Sequence, residues 1–190
     1  MGMRKMKFMV LAAVMFFSGA MIATAADQAM TPLDIPTLQG VEALKPGADA
    51  PDFDVKDTAG KPFHFSGKDS KGSLLVFWSL FCEPCREEMP LIQSLFDRYK
   101  DKGLRVLSVA LDGDDMGKSI TQFAKEKGYT FTLLLDKENE DGSLVVSDAY
   151  FIPGTPTLYI VSPEGKIVFS RVGRVGEEEL EKAITETLGK

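Results

Sequence analysis

The alternation of apolar and polar positions predicts strands and helices in turn along most of the chain. Four apolar runs have the length and composition of buried strands, at 74–78, 104–111, 131–135 and 158–161. Three segments between them repeat apolar residues at helical spacing, at 91–99, 120–127 and 144–150. A turn at 163–166 then leads into a strand at 167–172 and an amphipathic helix at 180–188. Ahead of this series, alternating segments at 53–55 and 63–65 flank a turn and predict a β-hairpin.

This order of elements predicts an α/β fold with a mixed central sheet flanked by helices. Strands alternate with helices up to the segment at 155–157, which favours parallel pairing. The hairpin and helix that follow add antiparallel strands. A sheet of this kind is covered by helices on both faces. We therefore expect one domain built around a buried sheet.

The first residues of the chain have the pattern of an export signal. Three basic residues lie within 1–7, an apolar stretch follows at 8–22, and Ala23-Thr24-Ala25 supplies the small residues that a signal peptidase recognises. The apolar stretch has 15 residues, whereas a membrane span needs roughly 20. We predict a signal peptide at 1–25, with an uncleaved membrane anchor as the alternative. The protein is therefore expected to be exported.

The next segment is predicted to be a flexible tether. Three prolines within 26–48 interrupt any periodicity, and the folded domain is expected at 49–190. Loss of 1–25 removes three basic residues and no acidic ones, which leaves 19 Lys and Arg against 28 Asp and Glu. This acidic balance argues against nucleic acid and anionic membrane surfaces as partners.

The main chemical signal is Cys82-Glu83-Pro84-Cys85, which lies between a predicted strand and a predicted helix. Cys82 is expected at the helix N-terminus, where backbone N–H groups lack partners and the helix dipole favours negative charge. A thiol there ionises easily, and the thiolate is the nucleophile. Cys85 lies one turn inside the helix and is suited to resolving a mixed disulfide. The pattern therefore predicts thiol–disulfide exchange.

Other uses of these cysteines fit the sequence less well. A structural zinc site needs about four nitrogen or sulfur ligands, and the chain adds only His64 to its two cysteines. A purely structural disulfide around so short a loop would stabilise the fold by only about 2 kcal/mol. We expect His64 to face solvent on a strand. The acidic cluster at 112–115 lacks the spacing of a calcium loop and is predicted to be a solvated loop. No metal or other cofactor is expected.

A second candidate feature is Thr155-Pro156-Thr157, directly before a predicted strand. A trans proline would fit poorly at the start of a central strand. A cis peptide there would turn the chain sharply and leave the backbone of Thr155 free to pair with an extended substrate peptide.

These features together resemble the thioredoxin superfamily. The residues that carry the resemblance are Trp78 four positions before Cys82, Pro90 five positions after Cys85, and Pro156 before a strand. In that fold the proline that faces the Cys-x-x-Cys motif is cis, so the resemblance implies that Pro156 is cis. It also implies a redox-active disulfide between Cys82 and Cys85. Substrate contacts are implied for Trp78, Phe81, Pro84, Thr155 and Pro156.

Within the superfamily, the chain is similar to the TlpA/ResA/CcmG branch, which includes DsbE-like proteins. The resemblance spans residues 46–189 and includes the leading Ala50-Pro51-Asp52-Phe53 and room for one extra βα unit between the cysteines and Pro156. The Cys82–Cys85 tetrapeptide followed by Glu88 is particularly similar to ResA. The chain departs from many relatives at Phe81, where they carry Trp, and so its substrate contacts are expected to differ.

The branch implies an extracytoplasmic reductant of protein disulfides. Several members reduce the haem-binding cysteines of apocytochrome c and are recharged by a membrane thiol carrier, so both are expected partners of this chain, which is predicted to act as a monomer. Val76 occupies the place of the buried aspartate base of thioredoxin. Glu88 is therefore the acidic candidate for accepting the proton of Cys85. We expect it to be buried, with a raised pKa.

Two alternative functions remain. A peroxiredoxin-like peroxidase shares the leading Ala-Pro-Asp-Phe, but Leu75 replaces the usual proline and Ser79 stands for the usual threonine. A copper-binding chaperone would need a Cys-x-x-x-Cys motif and a histidine near Thr155, and the chain has neither.

Overall fold

The computed structural model describes residues 40–189. Seven strands lie within this range: β1 (Phe53–Asp57), β2 (Pro62–Phe65), β3 (Gly72–Trp78), β4 (Leu104–Ala110), β5 (Thr132–Leu135), β6 (Thr157–Val161) and β7 (Ile167–Val172). The described helices are α1 (Glu83–Tyr99), α2 (Gly117–Lys127), α3 (Val145–Ala149) and α4 (Glu177–Leu188), and short 3-10 turns occur at Lys100–Lys102 and Asp114–Met116. Each predicted strand and helix is present, with bounds shifted by a few residues.

The strands form one mixed sheet in the order β2-β1-β5-β4-β3-β6-β7. Strands β3, β4 and β5 are parallel, whereas β6 pairs antiparallel with β3 and β7 antiparallel with β6. The predicted hairpin is formed by β1 and β2, and His64 lies exposed on it beside Asp54. Helix α2, strand β5 and helix α3 lie between β4 and β6, where the sequence left room for a further βα unit. The mixed α/β fold is therefore confirmed.

Strand β3 lies at the centre and is buried along its whole length. Its side chains alternate between the two faces of the sheet, so that Leu74, Val76 and Trp78 join one core cluster and Leu75 and Phe77 join the other. The first cluster includes residues of α1, α2 and α4, and the second includes residues of β1, β2 and α3. Burial on both faces explains why this strand reads as a continuous apolar run.

Helix α1 follows β3 after a four-residue turn and presents the cysteines. Pro84 lies in its first turn, where the missing N–H would have no intrahelical partner. Cys82 is the N-cap residue. The buried face of the helix carries Met89, Ile92 and Leu95, which pack in the first core cluster. The burial of this face fixes the helix against the sheet and so fixes the position of its N-terminus.

The structure describes the predicted tether only from residue 40 onward. Leu44 N–H donates a hydrogen bond of 3.1 Å to Tyr159 Oη, and Gly47 N–H donates one of 2.8 Å to the carbonyl of Ile167. These bonds tie the end of the predicted tether to the domain. The predicted signal peptide at 1–25 lies outside the described residues. Within 40–189, no helix is both long and apolar enough to cross a membrane.

Candidate active site

Cys82 and Cys85 are joined by a disulfide at the N-terminus of α1. Cys82 is partly exposed, whereas Cys85 is 1% exposed. The difference arises because Cys82 caps the helix from outside and Cys85 lies on its buried face. A partner molecule can therefore reach only the sulfur of Cys82.

The surroundings of Cys82 favour negative charge on its sulfur. The backbone N–H of Cys85 donates to Cys82 Sγ at 3.2 Å, and the positive end of the α1 dipole points at the same atom. Such a donor and dipole stabilise a thiolate relative to a thiol. The arrangement is that of an attacking thiolate once the disulfide is reduced.

The loop before β6 faces the disulfide. The carbonyl oxygen of Thr155 lies 3.6 Å from Cys82 Sγ, and the Thr155–Pro156 peptide is cis, as the resemblance implied. Thr157 Oγ1 donates to the carbonyl of Gly154 at 2.7 Å, and Gly173 N–H donates to the carbonyl of Pro156 at 2.8 Å. These bonds fix the conformation of the loop and tie it to the segment after β7. Among the described residues, Thr155 N–H has no acceptor, so it remains available to an incoming chain.

Glu88 lies one turn beyond Cys85 and is 3% exposed. Its Oε1 accepts a hydrogen bond of 2.7 Å from Val175 N–H, and its Oε2 has no partner within the described part of the chain. Burial raises the pKa of Glu88 to about 7, although Val175 N–H and the charge of Arg174 act in the opposite direction. The predicted burial and the predicted direction of the shift are both present. The carboxyl group can therefore gain or lose a proton near neutral pH.

The loop between β7 and α4 connects this carboxyl group to the loop before β6. Its residue Gly173 bonds to Pro156, Arg174 forms an ion pair of 2.8 Å with Glu87, and Val175 bonds to Glu88. The sequence alone gave no sign of this loop's role. The link between the two sides of the site runs through backbone N–H groups, which carry no signature in the amino-acid pattern.

Asp112 is a second residue that the sequence analysis missed. It was assigned to a solvated loop, but its carboxylate accepts hydrogen bonds from Ser79 Oγ at 2.7 Å and from Leu80 N–H at 2.9 Å. Ser79 Oγ in turn accepts from Phe81 N–H at 3.1 Å. Asp112 thus fixes the turn that leads into Cys82. The sequence did offer one indication of this contact. Strands β3 and β4 are successive buried runs, and their C-terminal ends lie side by side when the strands pair in parallel.

Trp78 requires a correction. It was expected to contact substrate, but its side chain is 1% exposed and its ring lies 5.9 Å from that of Phe123. An enclosed side chain offers no surface to a partner, so Trp78 instead supports the end of β3 beneath the site. Phe81 is 78% exposed beside Cys82, and Pro84 is partly exposed. Both therefore remain accessible to a substrate.

Phe151, which the sequence analysis did not single out, lies four residues before Thr155 and is 53% exposed. It follows α3 in the left-handed region at φ +52°, where Phe151 N–H bonds to the carbonyl of Asp148 and Ile152 N–H to that of Ser147. This is a Schellman motif, whose left-handed position is usually glycine. A side chain costs about 1–2 kcal/mol there. The position of a left-handed residue depends on where α3 ends, which the sequence predicts only roughly.

The site as a whole is built for chemistry at sulfur. It contains a reversible pair of cysteines, a loop that can hold an extended chain, and a buried carboxyl group that titrates near neutral pH. Within residues 40–189, no group of three or more His, Cys, Asp or Glu side chains is placed to hold a metal ion. The chemistry that these groups support is thiol–disulfide exchange.

Comparison with known proteins agrees with this chemistry. The AhpC/TSA family matches residues 46–170. The chain is 33% identical over 138 residues to the thiol-disulfide oxidoreductase ResA of Bacillus subtilis, covering 73% of each protein, and 32% identical over 140 residues to ResA of Bacillus thuringiensis, covering 74% of this chain and 77% of that one.

Solved structures point the same way. A crystal structure from Chlorobium tepidum, described as a thiol:disulfide interchange protein DsbE, is 29% identical and superposes with a TM-score of 0.67 over 77% of this chain and 100% of that one. The shared sequence includes the cysteine helix and the loop before β6, because the matched region spans both. The chain therefore belongs to the AhpC/TSA family and to the ResA-type thiol-disulfide oxidoreductases.

Proposed function

We propose that this thiol-disulfide oxidoreductase acts outside the cytoplasm as a reductant of protein disulfides, of the kind needed for cytochrome c maturation. The observation that carries the proposal is the position of Cys82 Sγ, partly exposed and 3.6 Å from Thr155 O, with Cys85 buried behind it. Support for the location comes from the predicted signal peptide at 1–25. The similarity to ResA and DsbE proteins supports thiol–disulfide exchange, and the direction of the reaction is the one that the resemblance to the TlpA/ResA/CcmG branch implies.

In the first step, the Cys82 thiolate attacks one sulfur of a substrate disulfide. The bond between the two substrate sulfurs breaks, and Cys82 is joined to the substrate by a mixed disulfide. The leaving substrate sulfur takes a proton. The backbone of Thr155 orients the substrate chain, because its free N–H and its carbonyl are the groups that an extended peptide can pair with.

In the second step, Cys85 attacks Cys82 Sγ and releases the substrate as a dithiol. Cys85 must first lose its proton, and Glu88 lies three residues further along α1, where side chains are neighbours at about 5–6 Å between Cβ atoms. With a pKa of about 7, Glu88 is partly ionised at neutral pH and can take that proton. The protein loses two electrons and the substrate gains two electrons and two protons.

The proposed partners follow from this direction. The substrates are exported proteins that carry a disulfide, such as apocytochrome c with its two haem-binding cysteines. After each turnover the Cys82–Cys85 disulfide must be reduced again, and a membrane thiol carrier would supply the two electrons. The protein acts without a bound cofactor, because the electrons are held by its own cysteines.

A thiol peroxidase is the second candidate, because the chain belongs to the AhpC/TSA family. The Cys82–Cys85 disulfide favours disulfide exchange, because a resolving cysteine only three positions away lies within reach of a mixed disulfide on Cys82.

A comparison of the rates with two oxidants tests the proposal. The reduced protein should be mixed in single-turnover stopped-flow experiments with a synthetic Cys-x-x-Cys-His peptide disulfide and, separately, with hydrogen peroxide. We expect the peptide to be reduced much faster, because Leu75 replaces the proline that usually helps to activate a peroxide in peroxiredoxins. Equal rates would assign the protein to the peroxidases. Loss of peptide reduction in Cys82→Ser provides the control.

A further inference from the structure

The loop between β7 and α4 contacts two successive residues of α1 through two successive residues of its own. Arg174 Nη1 pairs with Glu87 Oε2 at 2.8 Å, and Val175 N–H donates to Glu88 Oε1 at 2.7 Å. The N–H of Val175 belongs to the peptide group that joins this residue to Arg174. The Cα atom of Arg174 therefore lies within about 5 Å of the Glu88 carboxylate oxygen. The loop thus brings a positive charge to the buried carboxyl group of the active site.

The ion pair between Arg174 and Glu87 does little for stability, because both side chains are more than half exposed to water. The field of the guanidinium group also reaches Glu88, which is buried and less screened by solvent. Burial raises the pKa of Glu88 to about 7, and the charge of Arg174 acts against that rise. Without Arg174, the carboxyl group of Glu88 would keep its proton to a higher pH.

The other ionisable groups next to Glu88 are Cys85 and Glu87, both on its own helix. Cys85 carries no charge while it is part of the disulfide, and Glu87 is exposed and paired with Arg174. Strands β3 and β6 and helix α4 contribute apolar side chains to the core cluster that contains Cys85. Within residues 40–189, Arg174 is therefore the cation that favours the charged form of Glu88.

We infer that Arg174 is a positioning residue for the resolving step, because its charge keeps Glu88 in the ionised form that accepts the proton of Cys85. This inference rests on the proposed function, in which Glu88 takes that proton. The Cys85 thiolate then attacks Cys82 Sγ, the bond from Cys82 to the substrate sulfur breaks, and the leaving sulfur takes a proton from water. Arg174 acts on this step through Glu88.

The first measurement is the titration of Glu88 in the oxidised protein, in which the two cysteines do not titrate. Carbon-13 NMR follows the side-chain carboxyl resonances of the glutamates, and Glu88→Gln identifies the resonance of Glu88 by its absence. Arg174→Gln removes the positive charge, and Arg174→Lys keeps it. We expect Arg174→Gln to raise the titration midpoint of Glu88 by about one pH unit, and Arg174→Lys to leave it close to that of the unmodified protein.

The second measurement is the release of a peptide from a mixed disulfide on Cys82, formed at low pH and started by a pH jump. A rise of about one unit in the pKa of Glu88 would lower its ionised fraction at pH 7 from about a half to about a tenth. Release by Arg174→Gln should therefore be about fivefold slower at pH 7 and within about twofold of normal at pH 9. Arg174→Lys should restore the rate. The double variant with Arg174→Gln and Glu88→Gln should be no slower than Glu88→Gln alone.

The matched control is Lys166→Gln, which removes a cation from a similar exposed ion pair. Lys166 Nζ lies 2.7 Å from Asp49 Oδ1, next to the first residue of β7, whereas Arg174 follows the last. This variant should change neither the titration of Glu88 nor the release of the peptide. The melting temperature of Arg174→Gln should stay within a few degrees of that of the unmodified protein, because the ion pair that it loses is exposed.

The outcomes separate this inference from the proposed function. An unchanged Glu88 midpoint in Arg174→Gln contradicts the inference and leaves the function standing. So does a lysine variant that behaves like Arg174→Gln, a further slowing in the double variant, or a large fall in the melting temperature of Arg174→Gln. Normal release by Glu88→Gln would remove Glu88 from the resolving step, and the inference would fall with it. If the unmodified protein reduces no peptide disulfide, the proposed function fails, whereas the titration still decides whether Arg174 acts on Glu88.

Discussion

Two carboxyl groups are buried within residues 40–189, and they differ in how many hydrogen bonds they accept. Asp136, directly after β5, is 0% exposed and accepts three: from Val146 N–H at 2.9 Å, from Ser147 N–H at 2.8 Å and from Ser147 Oγ at 2.5 Å. Glu88 is 3% exposed and accepts one, from Val175 N–H at 2.7 Å. Its second oxygen has no partner among residues 40–189.

The difference indicates two roles for buried acids. Asp136 caps α3, and all of its donors belong to that helix, so its charge is used to hold the structure together. Glu88 has one oxygen left without a donor, and burial raises its pKa to about 7. A group in this condition can exchange a proton with a neighbour. Hydrogen-bond partners, rather than burial alone, distinguish the structural acid from the one available for catalysis.

The largest effect is expected for Asp136→Ala. It leaves three buried donors without an acceptor, and each costs about 1–3 kcal/mol, so the free energy of unfolding should fall by about 3–5 kcal/mol. Urea unfolding with an unchanged m-value measures this loss. Asp148→Ala is the matched control, since Asp148 is exposed and, within residues 40–189, accepts a hydrogen bond from Leu144 N–H alone, and it should cost about 1 kcal/mol or less. Similar losses in both variants would contradict the assignment of Asp136 as a structural acid.

A slightly smaller effect concerns the pH dependence of stability. The pKa of Glu88 in the folded protein lies above the ordinary glutamate value of 4.5, so the folded state keeps a proton that the unfolded chain has already lost. The contribution of Glu88 to the free energy of unfolding is therefore fully present below about pH 4.5. It declines by about 3 kcal/mol in total as the pH rises to about 7.

Glu88→Gln cannot lose this proton, so its stability should fall less between pH 5 and pH 8 than that of the unmodified protein. Urea midpoints across this range measure the difference. The matched control is Glu87→Gln, because Glu87 is exposed and lies beside Glu88. Parallel curves for the unmodified protein and Glu88→Gln would show that Glu88 titrates normally.

The next-largest effect is expected on the rate of the second chemical step, in which Cys85 attacks the mixed disulfide. Without an ionised carboxyl group near Cys85, Glu88→Gln should release substrate from a preformed mixed disulfide about 10- to 100-fold more slowly near pH 8, whereas Glu87→Gln should release it normally. Release can be timed by quenching with acid and separating the species by mass. The difference in release rate between Glu88→Gln and the unmodified protein should become smaller below pH 6, because Glu88 is mostly protonated there in the unmodified protein. Equal release rates at every pH would reduce Glu88 to a structural residue.

The smallest effect is expected at the turn before Cys82. Asp112→Ala removes the acceptor for Ser79 Oγ and Leu80 N–H and should lower the free energy of unfolding by about 1–2 kcal/mol. The exposed Asp114 supplies the control, since Asp114→Ala should change stability by less than about 0.5 kcal/mol. Equal effects in the two variants would mean that Asp112 is as solvated as the sequence first indicated.

The sequence predicts the elements and the cysteine helix because both depend on local patterns. Continuous apolar runs identify strands such as β3, and Cys82 and Cys85 identify the chemistry by spacing alone. The burial of Glu88 is also predictable, because it lies on the apolar face of α1. The family resemblance implied that Trp78 contacts substrate, although a residue at the end of a buried strand points into the core as readily as out of it.

What the sequence could not predict depends on long-range contacts. The bond from Val175 to Glu88 spans 87 positions and uses a backbone N–H, which any residue type supplies. Asp112 contacts Ser79 across 33 positions, and only the parallel pairing of β3 with β4 reveals that contact. Phe151 stands out only after the end of α3 is known. Site residues that act through the backbone therefore require the structure.

The most direct test of the account is a trapping experiment on the two cysteines. Cys85→Ser and Cys82→Ser are reduced, mixed with a peptide disulfide and analysed by non-reducing mass spectrometry. We predict that Cys85→Ser accumulates a mixed disulfide through Cys82, because Cys82 is the accessible sulfur and no resolving thiol remains. Cys82→Ser should trap nothing, because Cys85 is 1% exposed. A mixed disulfide on Cys85, or none in either variant, would contradict the assignment of Cys82 as the attacking thiolate.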